Sequence, residues 1–182
     1  MMFFIRAINR LSELVGRLVA WCTLLMVLVT VLVVVLRYAF DMGFIWMQES
    51  ITWMHAAIFM LGAAYTLRQD EHVRVDIFYR EMSERRRALV GIVGTCIFLF
   101  PVCGFIAFSS WSYAANSWAI GEGSREAGGL PYPFVPLLKS LIPATAVLLG
   151  LQALADLLRD VLVVSGRDHY DTGQRPPPGE VL

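Results

Sequence analysis

The chain has 182 residues, of which 57% are hydrophobic and only 16% charged, and its formal net charge is zero. A soluble domain carries about 25% charged residues, so the composition points to lipid and not water, and the balanced charge gives no basis for a nucleic-acid partner. Cys22, Cys96 and Cys103 all lie in apolar runs without a C-x-x-C pair, which reads as inert thiols and not as a disulfide or redox framework.

Residues 1–17 come first. Phe4, Ile8, Leu11, Val15 and Leu18 recur at helical spacing, and Arg6, Arg10, Glu13 and Arg17 share another face. This is the pattern of an amphipathic helix lying on a membrane surface, in contact with lipids. The alternative is that the segment simply extends the first span. Residues 18–36 follow without a charge, bracketed by Arg17 and Arg37. Such a run covers roughly the 30 Å of a hydrocarbon core and is too long for the apolar region of a signal peptide. It is expected to be the first of four transmembrane helices.

A second uncharged stretch covers residues 50–67, with His55 its only titratable group and Gly62, Ala63 and Ala64 near its end. Small residues there would let another helix approach closely. In the middle loop, residues 68–87, Val73, Ile77, Phe78 and Met82 form a short apolar face suited to the interface. Ser83 before Glu84 reads as an N-cap opening the third helix. Residues 88–121 carry no charge, but after Phe108 the run turns to Ser, Trp, Tyr and Asn. The expected span is therefore about 89–108, with the helix continuing out through Trp111 and Trp118 into the headgroup layer. Pro101 should kink it. Residues 121–136, rich in Gly and Pro, read as turns. The fourth span is expected over about 137–158, with Lys139 at one mouth, Pro143 in a first-turn or kinked position, and Asp156 and Arg159 at the other end. The membrane domain is thus 18–164, and residues 165–182, with Pro176-Pro177-Pro178, read as a disordered tail.

All but Arg37, Arg125 and Lys139 of the 15 Lys and Arg residues fall before the first span, in the middle loop or after the fourth span. Basic residues favour the cytoplasmic side, which predicts both termini in the cytoplasm. Arg37, Trp46, Glu49, Glu122, Glu126 and Lys139 then gather at the outer boundary. There, Glu49 could pair with Arg37 or Lys139, or each could be an ordinary interfacial anchor. An enzyme or pump needs ionisable groups within the bilayer, and only His55 lies deep in a span. A bis-imidazole haem would need a second such His. His72 and Asp76 share a helical face, but two ligands without a third make a weak metal site. The chain is read as all-α, not an enzyme, and without cofactor.

Several stretches carry a resemblance. They are Trp46-Met47-Gln48-Glu49-Ser50, Leu61-Gly62-Ala63-Ala64-Tyr65, His72-Val73-Arg74-Val75-Asp76, Gly121-Glu122-Gly123-Ser124, Gly128-Gly129-Leu130-Pro131, then Lys139, Ile142-Pro143 and Leu149-Gly150-Leu151-Gln152. In order and spacing the chain resembles the DctQ-like small membrane subunit of tripartite ATP-independent periplasmic (TRAP) transporters. The resemblance implies a location in the bacterial inner membrane and two partners. One is a large permease subunit, expected as a separate chain, that moves an organic acid with a coupling ion, usually sodium. The other is a periplasmic binding protein that docks transiently. It implies the role of a fixed brace, with Arg37, Trp46, Glu49, His72, Asp76, Trp111, Trp118, Glu122, Lys139 and Gln152 as interface or structural candidates. The 121–139 loop is similar to that of a branch handling mannitol, chloroaromatics or keto acids. Tyr132-Pro133-Phe134 departs from the Trp or Arg that relatives often carry there. The competing classes are a self-assembling channel or exporter and a membrane redox component.

Overall fold

A computed structural model of the chain describes residues 2–69 and 82–166. The middle-loop face at 73–78, the His72/Asp76 pair and the tail from 167 onward lie outside the described residues. Four helices, each long and apolar enough to cross a membrane, make up the described chain. They are α1 (Met2–Ala39), α2 (Ile45–Arg68), α3 (Glu84–Ala119) and α4 (Phe134–Val164). No strand occurs among the described residues. In hydrocarbon a helix satisfies its backbone internally, so even the β-branched run of residues 27–35 stays helical. The side-chain hydroxyls follow the same rule: Thr30 donates to the Met26 carbonyl at 2.7 Å, Ser110 to Ile106 at 2.6 Å and Thr145 to Leu141 at 2.7 Å.

α4 is the hub. It packs against each of the other three helices, α1 and α2 pack on each other, and α3 lies on α4. The buried side chains are mostly small: Ala57 and Ala64 on α2, Ala88, Ala114 and Ser117 on α3, Ala146, Ala153 and Ala155 on α4. Without a hydrophobic driving force in lipid, helices associate through close backbone approach, which small residues permit. Leu and Phe side chains instead face outward, as Leu28, Phe98, Phe105 and Phe108 do.

The structure revises or refines several local expectations. The first 17 residues do not form a separate interfacial helix; α1 runs unbroken for 38 residues, about 57 Å, so its N-terminal arm continues the first span. The buried face of that arm is Ile5, Ile8, Asn9, Ser12 and Gly16, while Phe4, Leu11 and Leu18 are exposed. Pro101 follows a widened turn of α3. The turn before it, Thr95–Leu99, is π-helical, and the Phe100 N–H donates to the Thr95 carbonyl. A wider turn there accommodates the ring that would otherwise clash with the preceding turn. Pro143 lies well inside α4, past the first turn. Ser83 holds the N-cap position of α3 in extended geometry, but its hydroxyl makes no cap bond.

Candidate functional site

Polar side chains gather at the two ends of the bundle. At the end carrying the α1–α2 and α3–α4 connections, Glu49 reaches from the first turns of α2 into the loop before α4. Its carboxylate accepts from the Leu130 N–H at 2.6 Å and from the Ser124 hydroxyl. The Trp46 N–H, one of the donors left open at a helix start, gives to the Gly128 carbonyl at 3.1 Å. The loop therefore caps α2. A Cβ at Gly129 would overlap the Ser124 hydroxyl and approach the Glu49 carboxylate to 2.7 Å, so only glycine lets the backbone come this close.

A second knot ties α3 to α4 at the same end. Glu122 accepts from Lys139 and, at 2.7 Å, from the Ser117 hydroxyl. The Lys139 ammonium stands 4.2 Å from the centroid of the Tyr113 ring, a cation–π contact. The hydrogen bond from Lys139, and then that from Ser117, hold the Glu122 carboxyl below the ordinary carboxylate range. The Trp118 indole donates to the Ser140 hydroxyl at 2.9 Å and meets Tyr132 edge-on, 6.1 Å between centroids. The Trp53 indole gives to the Phe134 carbonyl at 3.2 Å.

At the other end, where α1 begins and α4 finishes, Gln152 is fully buried. Its carboxamide oxygen accepts from Ser12 at 2.8 Å and its nitrogen donates to Asn9 at 3.1 Å. Ile5 and Ile8 pack beside it against Ala155. Glu13 bridges to Arg17 on its own helix and to Arg68 of α2, the latter at 3.1 Å. The Tyr65 ring lies directly over Gly16, where a Cβ would overlap it.

The candidates thus divide. Glu49, Trp118, Glu122, Lys139 and Gln152 all join one helix or loop to another. Trp46 engages the loop through its backbone, and its ring stands near Phe44. Arg37 lies beside a shallow cleft with Gln48 and Phe44. Trp111 is exposed, and His72 and Asp76 lie outside the described residues. Glu49 pairs with neither Arg37 nor Lys139, because the loop supplies neutral donors to it and Lys139 is taken by Glu122. Asn9, Ser12 and Ser117 were not singled out in the sequence, and Ser124 entered only within a stretch carrying the resemblance. The spacing of Asn9 and Ser12, three residues apart on one face, was the available signal. Among the described residues, no three His, Cys, Asp or Glu side chains group as a metal site.

Four apolar helices, closed on one another by polar knots at both ends, define a small multi-pass membrane protein. The residues match a family model across 26–163, that of tripartite ATP-independent periplasmic transporters, DctQ component, and the chain belongs to that family. It is also 28% identical over 89 residues to the C4-dicarboxylate TRAP transporter small permease protein DctQ of Vibrio cholerae, an alignment covering 48% of this chain and 38% of that protein. The match therefore spans well under half of the relative's length. No solved structure matches the chain.

Proposed function

We propose that this chain is the small permease subunit that braces the large permease subunit of a TRAP transporter. In that reading the large subunit moves an organic acid, delivered by a periplasmic binding protein, at the expense of an ion gradient, and sodium is the coupling ion. The chain sits in the inner membrane with its termini, the Gln152 knot and the Arg68 bridge on the cytoplasmic side. The Glu49 and Glu122 knots then face the periplasm, where the binding protein docks.

The observation that carries this reading is where the polar groups are spent. Glu49, Glu122, Lys139, Glu13, Arg68 and Gln152 bond to other parts of the same chain, at the ends of the helices. A carrier holds such groups at mid-depth for its cargo; a brace uses them to hold its own shape. The test is uptake into membrane vesicles. The large subunit with this chain and the binding protein should accumulate substrate under a sodium gradient, and omission of this chain should abolish uptake. Uptake by vesicles holding this chain alone would overturn the proposal and favour a self-assembled channel.

A further inference from the structure

The knots do not account for one polar feature. α2 turns Met47, Met54, Ala57 and Ala64 inward. On its opposite side Gln48, Thr52, His55 and Phe59 are all exposed, spaced alternately by four and three residues, and Gly62 and Thr66 continue the same row. That is the spacing of a helix–helix seam. Yet among the described residues nothing covers Gln48, Thr52, His55 or Phe59: Phe59 is 78% exposed, and a Cβ placed on Gly62 would meet nothing within 4 Å.

Lipid is a poor occupant for this row. His55 lies about 15 Å along the helix from Ile45 and about 20 Å from Arg68, close to the middle of the span. A neutral imidazole carries one donor and one acceptor, and acyl chains satisfy neither. Other polar side chains in the spans, Thr30, Ser110 and Thr145, turn back onto their own helix. The His55 imidazole does not, and it makes no hydrogen bond among the described residues. α2 is also the least apolar of the four spans, although lipid would select the reverse for an outward face. Gly62 adds a second mark, since small residues admit a neighbouring backbone and no neighbour among the described residues uses the opening.

We infer that the Gln48–Thr52–His55–Phe59–Gly62–Thr66 row of α2 is the docking seam for a transmembrane helix of the large permease subunit. That helix presents a hydrogen-bonding group to His55 and a bulky apolar side chain to Gly62. The inference rests on the bracing role proposed above and assigns it to one helix face.

The test places a photo-crosslinking phenylalanine analogue at Phe59 on the seam, or at Phe105 on the exposed side of α3, in cells co-expressing the large subunit. An adduct with the large subunit from position 59 and not from 105 is expected. Gly62→Leu should reduce large-subunit retention on affinity purification by about tenfold or more, while Gly104→Leu, whose Cβ also meets open space, should leave it unchanged. Both variants should keep the unfolding behaviour of the isolated chain. His55→Leu should lower retention by about threefold or more. Adducts from 59 only to lipid or to a second copy of this chain, or full retention by Gly62→Leu, would overturn the seam alone. Failure of the unsubstituted chain to retain the large subunit would overturn the seam and the bracing role together.

Discussion

Gln152→Leu should loosen the N-terminal arm of α1 from α4. Leucine has nearly the volume of glutamine, so packing is largely kept and the loss is polar. The substitution removes two interhelical hydrogen bonds, from Ser12 at 2.8 Å and to Asn9 at 3.1 Å, and strands both partners, which are 2% and 5% exposed. At about 0.6–1.5 kcal/mol for each bond between membrane helices, the cost is about 1–3 kcal/mol. Unfolding of the purified protein in mixed micelles, followed by circular dichroism against rising SDS, measures it. Ser12→Ala alone should cost about 1 kcal/mol. The double variant should cost less than the two singles combined, because one bond is shared between them. If Gln152→Leu were neutral, or if the two effects added fully, the carboxamide would not be holding the arm.

Three further outcomes test the rest of the framework. The Glu122 carboxyl is depressed, first by the hydrogen bond from Lys139, so its contribution is complete above the ordinary value of 4.5 and lost as pH falls through the folded value. Thermal stability should therefore be level from neutral pH down to about pH 5 and drop below it, and Glu122→Gln should remove part of that drop. Gly129→Ala should push the loop off Glu49, seen as faster hydrogen exchange at the Leu130 amide with the helices intact. Gly16→Ala should clash with the Tyr65 ring and cost about 1–3 kcal/mol in the same SDS titration, and Tyr65→Ala in the same chain should recover part of the loss.

The first three spans were legible because an uncharged run of about 18 residues or more seldom suits anything but crossing lipid; the fourth, uncharged only over residues 140–155, was legible once Lys139, Asp156 and Arg159 were placed at its ends. The outer loop was legible as turns and Lys139 as a charge at the mouth of the fourth span, whereas Gln152 entered only through the family resemblance. The arm of α1 was read as a separate surface helix because its apolar and charged residues recur on two faces, a pattern that does not say whether the helix stops before the span. Phe4, Leu11 and Leu18 do look outward, and Ile5, Ile8, Asn9, Ser12 and Gly16 make the contact with the rest of the bundle. For Glu49 the ion-pair alternative fails, although its charge suggests a charged partner. Its actual donors, a backbone N–H and a hydroxyl, leave no trace in a count of charges; the trace they do leave is Gly129.

The outward apolar faces bear on which surface meets a partner. If apolar exposure marked docking, α1 and α3 would be the candidates, since their outward Leu, Val and Phe side chains dominate the exposed surface. Acyl chains match those side chains as well as another protein would, so greasy exposure in a bilayer carries no information about partners. A polar group at mid-depth does carry it, because its alternatives are a protein hydrogen bond or none. Nearer the helix ends the same preference is met within the chain, where buried Gln152 finds Ser12 and Asn9. Applied outward, it singles out the row through His55, the one mid-span position in the described chain where an imidazole faces away from every other helix.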